Sequence, residues 1–326
     1  MSLDADVIVD RRRMRRKLTF WRVLAILVAI IAVVGVASVV SRQGNVVTAG
    51  GDYIARISIT GLIRNDQERV DSLEKLAKSR AKAVIVHIDS PGGTTAGSEQ
   101  LHQALRRVAA VKPLVVVVDG LAASGGYIAA MSADYIVAQG TSLVGSIGVL
   151  FQYPNLADLL KTIGVKIEEI KSSPLKAAPN GYEPTSPEAR AAIEALVKDS
   201  YAWFRSMVQD RRRMDEATLD RVADGRVFTG RQGVELKLVD RLGNEQTAIE
   251  WLAKEKGIAA DTPVRDWQLK PRFGDFTMLH LATATVLEAV GLGSLARRLT
   301  DWGAVQAIER LNLDGLLALW QPPVAN

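Results

Sequence analysis

The chain has 326 residues, 48% of them apolar and 24% charged, which supplies a sizeable core and excludes a disordered protein. Its net charge of +5 is concentrated at one end: Arg11, Arg12, Arg13, Arg15, Arg16 and Lys17, less Asp4, Asp6 and Asp10, account for +3 of it. The remainder is nearly balanced, so nucleic acid is not an expected partner, and the absence of cysteine excludes disulfides, thiol nucleophiles and cysteine-ligated zinc.

After a basic segment over 1–19, Phe20 to Val40 contains one charged residue, Arg22, and is long enough to cross a bilayer. A cleaved signal peptide is the rival, but its apolar region runs only about 7 to 15 residues and no A-x-A site follows here. The basic cluster precedes the span, and Arg42 is the only Lys or Arg between Val40 and Ala55. The positive-inside rule then predicts a single-pass helix over 20–40 with a cytoplasmic N-terminus and everything beyond it extracytoplasmic. In a two-membrane cell that is the periplasmic face of the inner membrane.

Residues 41–52 are polar and glycine-bearing and read as a linker. The domain over 53–270 opens with a strand from Tyr53 to Thr60 and a helix over Gln67 to Arg80, with Val70, Leu73 and Leu76 on one face. A second strand, Ala83 to Asp89, precedes a predicted turn at Ser90-Pro91-Gly92-Gly93 and a helix from about Ala96 to Ala109. Strand, glycine-bearing turn and helix repeat over Leu114 to Ala133, which predicts a mainly parallel sheet with sites at the carboxyl ends of its strands. Ser172 to Pro187 is extended and proline-rich, and Ala189 to Arg213 a long amphipathic helix. Residues 271–326 read as a helical extension, with Val305, Ile308, Leu311 and Leu316 at roughly helical intervals, packing on another subunit, at a membrane surface or on the domain itself.

Ser124 is the polar interruption in this pattern. It follows the predicted strand Val115 to Val118 and stands at the N-terminal edge of the predicted helix Gly125 to Ser132, where free N–H groups favour a negatively charged oxygen. That position suits a helix N-cap and a nucleophile alike. Gly92 to Ser98 has the glycine spacing of a phosphate loop but lacks its lysine; its bare N–H groups suit an oxyanion better than a nucleotide. His87 lies mid-strand, His102 and His280 are isolated on predicted helices, and no metal-ligand spacing occurs, so neither metal nor cofactor is expected. With no histidine in a loop near Ser124, a neutral lysine is the alternative base, and Lys176 stands in an apolar patch on the proline-rich segment.

The blocks DSPGG at 89–93, AASGGYIAA at 122–130, TSLVGSIGV at 141–149, KSSPLKAAP at 171–179 and DGRVFTGRQGVELKLVDRLG at 224–243 resemble the bacterial signal peptide peptidase family, SppA type, in its short form. The resemblance implies an α/β fold of crotonase/Clp protease-like repeated ββα units and a membrane-anchored serine peptidase. It implies Ser124 as nucleophile, Lys176 as general base, Ser146 orienting the lysine, and the N–H groups of Gly93 and Gly125 as oxyanion donors. It also implies a homo-oligomeric ring or dome acting on short hydrophobic peptides, signal-peptide remnants among them. A non-catalytic scaffold of the same fold and a crotonase-like acyl-transfer enzyme are the rivals. The second suits an extracytoplasmic site poorly.

Overall fold

The computed structural model describes residues 21, 51–269 and 316–320. In chain order the domain runs β1 (Tyr53–Ile63), α1 (Gln67–Ala77), β2 (Ala81–Thr94), α2 (Thr95–Ala109), β3 (Leu114–Ala123), α3 (Gly125–Ala130), β4 (Tyr135–Ala138) and β5 (Leu143–Gly145). It continues with α4 (Ala157–Thr162), α5 (Pro187–Arg212), α6 (Glu216–Val222), β6 (Val227–Thr229), α7 (Gly230–Glu235), β7 (Arg241–Leu242), α8 (Glu245–Lys256), β8 (Val264–Asp266) and β9 (Leu317–Leu319).

The result is a mixed α/β fold around one sheet, in the order β6-β5-β3-β2-β1-β8, with β4 beside the first half of β3, β7 beside β4, and β9 beside the end of β2. β1, β2, β3 and β4 are parallel, as strand-turn-helix repeats require. The runs AVIVHI and LVVVV are buried on both faces because each face has its own cover. Val84, Val86, Ile88, Val116 and Val118 join a large core with residues of α1, α2, α3 and α5. Ile85, Val115 and Val117 join a smaller one with Ala248, Ile249 and Leu252 of α8. Each buried Val or Ile contributes about 1.5–3 kcal/mol, so these short runs anchor the sheet.

Local signals set the helix ends. The Ser186 side chain caps α5 by accepting from Ala189 N at 3.1 Å, Pro187 occupies its first turn, and the fully buried Phe204 and Val208 dock it on the core. Asn244 caps α8, and Gly257, in the left-handed conformation, ends it.

Three expectations change. Ser90-Pro91-Gly92-Gly93 is not a turn: β2 continues through it to Thr94 beside β1, where Leu62 pairs with Gly92 and Ile63 with Gly93. β3 likewise passes Asp119 and Gly120 to end at Ala123, and it forks. Val115 to Val118 pair with β4, whereas Leu121 to Ala123 pair with β5. Finally, residues 317–319 are a strand, not the end of a helix. Except for Trp21, helical and exposed, the predicted membrane span lies outside the described residues, as do His280 and 271–315 of the extension. Among the described residues no helix is long and apolar enough to cross a membrane.

Candidate active site

The fork in β3 creates the site. Ser90 of β2 pairs with Ala122, but two residues later the chain leaves the sheet, and Gly92 to Thr94 lose β3 as a neighbour. Ser124 stands at that departure, at the carboxyl end of a central strand. Its φ of 54° and ψ of −116° are a conformation that L-residues avoid, costing about 1–3 kcal/mol. Backbone bonds hold it there: Ser124 N donates to Gly145 O at 2.8 Å, and Ile128 N donates to Ser124 O at 2.9 Å.

Ser124 occupies the cap position of α3 but makes no side-chain cap bond. Its Oγ has one long contact, 3.5 Å to Gly148 O, and the residue is 1% exposed. The hydroxyl is therefore spare of structural duty, although the residue keeps the cap position.

Two glycines bring the neighbouring backbones into contact. A Cβ on Gly92, whose φ is +99°, would stand 2.6 Å from Gly125 N and 2.0 Å from Ala318 O. A Cβ on Gly125 would meet Ser98 Oγ at 2.2 Å and Ala318 O at 2.9 Å. The end of β2, carrying Gly93, thus lies against the start of α3 next to Ser124, in a notch walled by main chain. On the other side Ala123 pairs with Gly145, so Ser146 is carried next to Ser124. Ser146 also has a positive φ, 52°, is 7% exposed, and donates its N–H to Arg226 O at 2.8 Å.

Four of the five candidate residues, Ser124, Gly125, Gly93 and Ser146, therefore converge. Lys176 makes no hydrogen bond to any of them within the chain. It is exposed, and among the described residues its ammonium has neither a hydrogen bond nor an ion pair. Lys171 on the same segment is engaged instead, with Glu169 at 2.5 Å and Glu183 at 2.9 Å, bonds that raise its pKa.

The two described histidines are engaged elsewhere. His87 bridges Asp119 Oδ1 at 2.9 Å and Glu245 Oε2 at 2.8 Å, and Arg56 grips the same Glu245. His102 Nδ1 pairs with Ile128 O at 2.9 Å, and burial pulls its pKa down to about 4. It is a neutral donor that steadies α3 from α2.

Sequence reasoning missed β9. The run Leu316-Leu317-Ala318-Leu319-Trp320, bounded by Gly315 and by Pro322-Pro323, carries the signature of a short buried strand. It was masked by apolar residues upstream at helical intervals.

A serine hydroxyl without a structural bond, at a strained strand end beside glycine-walled main chain, suits a nucleophile. The chain is 37% identical over 210 residues to the putative protease slr0021 of Synechocystis, a match covering 64% of this chain and 76% of that one. It is 30% identical to the putative signal peptide peptidase SppA of Enterococcus faecium, covering 66% and 67%. Among solved structures, a ClpP1 mutant of Listeria monocytogenes is similar over 58% of this chain and 91% of its own, with a TM-score of 0.40 and 12% identity. The model of peptidase family S49 matches residues 106–259, which span α3, both positive-φ serines and α5. With that match added to the Synechocystis relative, the chain belongs to peptidase family S49 and is a serine peptidase.

Proposed function

We propose that the protein is a membrane-anchored endopeptidase in which Ser124 is the nucleophile and Lys176 the base, acting outside the cytoplasm on short hydrophobic peptides, signal-peptide remnants among them. The observation that carries this reading is Ser124 itself: strained, without a cap bond, and set beside Gly93 and Gly125 at the end of β2.

In this mechanism the peptide extends along β2 by strand addition. Neutral Lys176 takes the Ser124 proton as Oγ attacks the carbonyl carbon. The N–H groups of Gly93 and Gly125 receive the oxyanion, each worth about 3 kcal/mol when well placed. The lysine ammonium then protonates the departing amine, and water, deprotonated by the same lysine, releases the acyl group from Ser124. Ser146 orients the lysine.

Since Lys176 is exposed and unbonded within one chain whereas Ser124 is buried, we assign it to the site of a neighbouring copy in a closed homo-oligomeric ring or dome. The segment that carries it supports this: Leu159, Ile163, Ile167, Ile170 and Leu175 are all exposed, an apolar face of the sort that a subunit interface covers. The apolar run Phe20 to Val40 and the printed name of the Enterococcus relative support the anchor and the substrate class.

Mixing inactive variants tests the arrangement. Ser124→Ala and Lys176→Ala are each expected to lose hydrolysis of an apolar fluorogenic peptide. Co-assembled, they are expected to regain part of it, because some interfaces then pair an intact Ser124 with an intact Lys176. Activity that survives Ser124→Ala refutes the mechanism, and failure of the mixture to recover refutes the shared site.

A further inference from the structure

The edge of β2 that β3 vacates is filled by the chain's own C-terminal segment. Thr94, Gly93 and Gly92 pair antiparallel with Leu317, Ala318 and Leu319. The ladder extends beyond the strand at both ends, with Thr95 N donating to Leu316 O at 3.0 Å and Trp320 N to Pro91 O at 2.8 Å. Hydrogen-bonded and open pairs alternate along an antiparallel ladder. Bonds at Thr95/Leu316 and Pro91/Trp320 therefore make Gly93/Ala318, between them, a bonded pair, with the Gly93 N–H facing the Ala318 carbonyl.

The opposite edge of the segment is held too, since Leu317 exchanges two 3.0 Å bonds with Leu150. Its side chains are enclosed: Ala318 is 0% exposed, and Leu317 and Leu319 pack with Leu62 and Leu150. The Ala318 oxygen enters the notch between Gly92 and Gly125, in the space that a Cβ on either glycine would invade.

We propose that residues 316–320 are an internal peptide ligand: they occupy the substrate groove with the Ala318 carbonyl at the oxyanion position and hold the enzyme self-inhibited until a peptide displaces them. The inference rests on the reading of Ser124 as nucleophile and deepens it. It also describes the preferred ligand, an extended apolar peptide with a small residue opposite Gly93 and leucines on either side.

The test uses the full chain and follows both peptide hydrolysis and covalent labelling of Ser124 by a serine-directed phosphonate. Ala318→Arg places a long charged side chain where none fits and expels the segment. If the groove is free one-tenth of the time in the parent protein, labelling rises about tenfold in the variant. A synthetic Leu-Leu-Ala-Leu-Trp peptide slows it again competitively. Equal labelling of parent and variant, or acceleration that the peptide does not reverse, overturns self-inhibition while leaving Ser124 in place. Absence of labelling in both, with hydrolysis surviving Ser124→Ala, overturns the nucleophile and the inference together.

A second variant keeps the test sharp should Ala318→Arg misfold. In Leu150→Cys/Leu317→Cys the bonded pair has a Cα separation of about 5.5 Å, within disulfide range. No other cysteine competes. Oxidation to an intrachain disulfide is expected to abolish labelling and a reductant to restore it. Labelling that ignores the disulfide overturns the proposal.

Discussion

Replacing Ser124 by glycine separates its strain from its chemistry. Its φ of 54° with ψ of −116° lies outside the left-handed helical well, near the upper end of the range of about 1–3 kcal/mol for such positions. Alanine keeps that cost. Glycine removes it, but surrenders about 0.5–1 kcal/mol in unfolded-chain entropy and about 0.8 kcal/mol for one buried carbon. Loss of the hydroxyl itself weighs little in either variant, since its one contact is 3.5 Å long. Ser124→Gly is therefore expected to be more stable than Ser124→Ala by about 1 kcal/mol, or about 2–4 °C in Tm for a domain of this size. Both variants are expected to be inactive. Thermal and urea unfolding of the two, compared at one protein concentration, reads the difference directly. A glycine variant that melts at or below the alanine variant refutes the claim that the fold holds this serine under strain.

His102 gives a pH signature. Burial lowers its pKa from 6.5 to about 4, with Arg106 and Arg211 adding to the effect, so between those values the unfolded chain binds a proton that the folded one does not. Stability is then expected to fall on acidification through that window, by up to about 3 kcal/mol. His102→Gln, which keeps a donor for Ile128 O, should flatten the urea midpoint across this range, and an unchanged slope refutes the assignment. Tyr127→Phe removes a fully buried hydroxyl that donates to Leu238 O at 2.8 Å, tying α3 to the chain after α7. The orphaned carbonyl predicts a loss of about 1–3 kcal/mol by urea unfolding, and a change of a few tenths would show that the bond is dispensable.

The parallel sheet was legible because Val84 to Ile88, interrupted only by His87, and Leu114 to Val118 are apolar runs, each followed by glycine and a helix. Ser124 stood out for the same reason, as a hydroxyl amid buried residues. What misled was the rule that Pro-Gly-Gly means a turn. At Ser90 to Gly93 the proline cannot donate to a ladder, yet β1 still pairs with the strand, so the glycines serve close approach and not reversal. Similarly, Asp119 and Gly120 mark a shift of partner from β4 to β5, a tertiary event with no local signature. The strand at 317–319 was hidden because a ladder formed more than two hundred residues away leaves no trace in periodicity. Lys176 could be singled out by composition, but its exposure within one chain could not.

The segment paired beside β2, Leu316 to Trp320, is an interior stretch of the sequence with residues on both sides of it. Its grip comes from backbone pairing along the middle, to Pro91, Gly93 and Thr95 on one flank and Leu150 on the other. A ligand so held is recognised by its interior and needs neither a free amine nor a free carboxylate to register. On the proposed reading, the groove selects a peptide by a stretch of its backbone and side chains, and not by its ends.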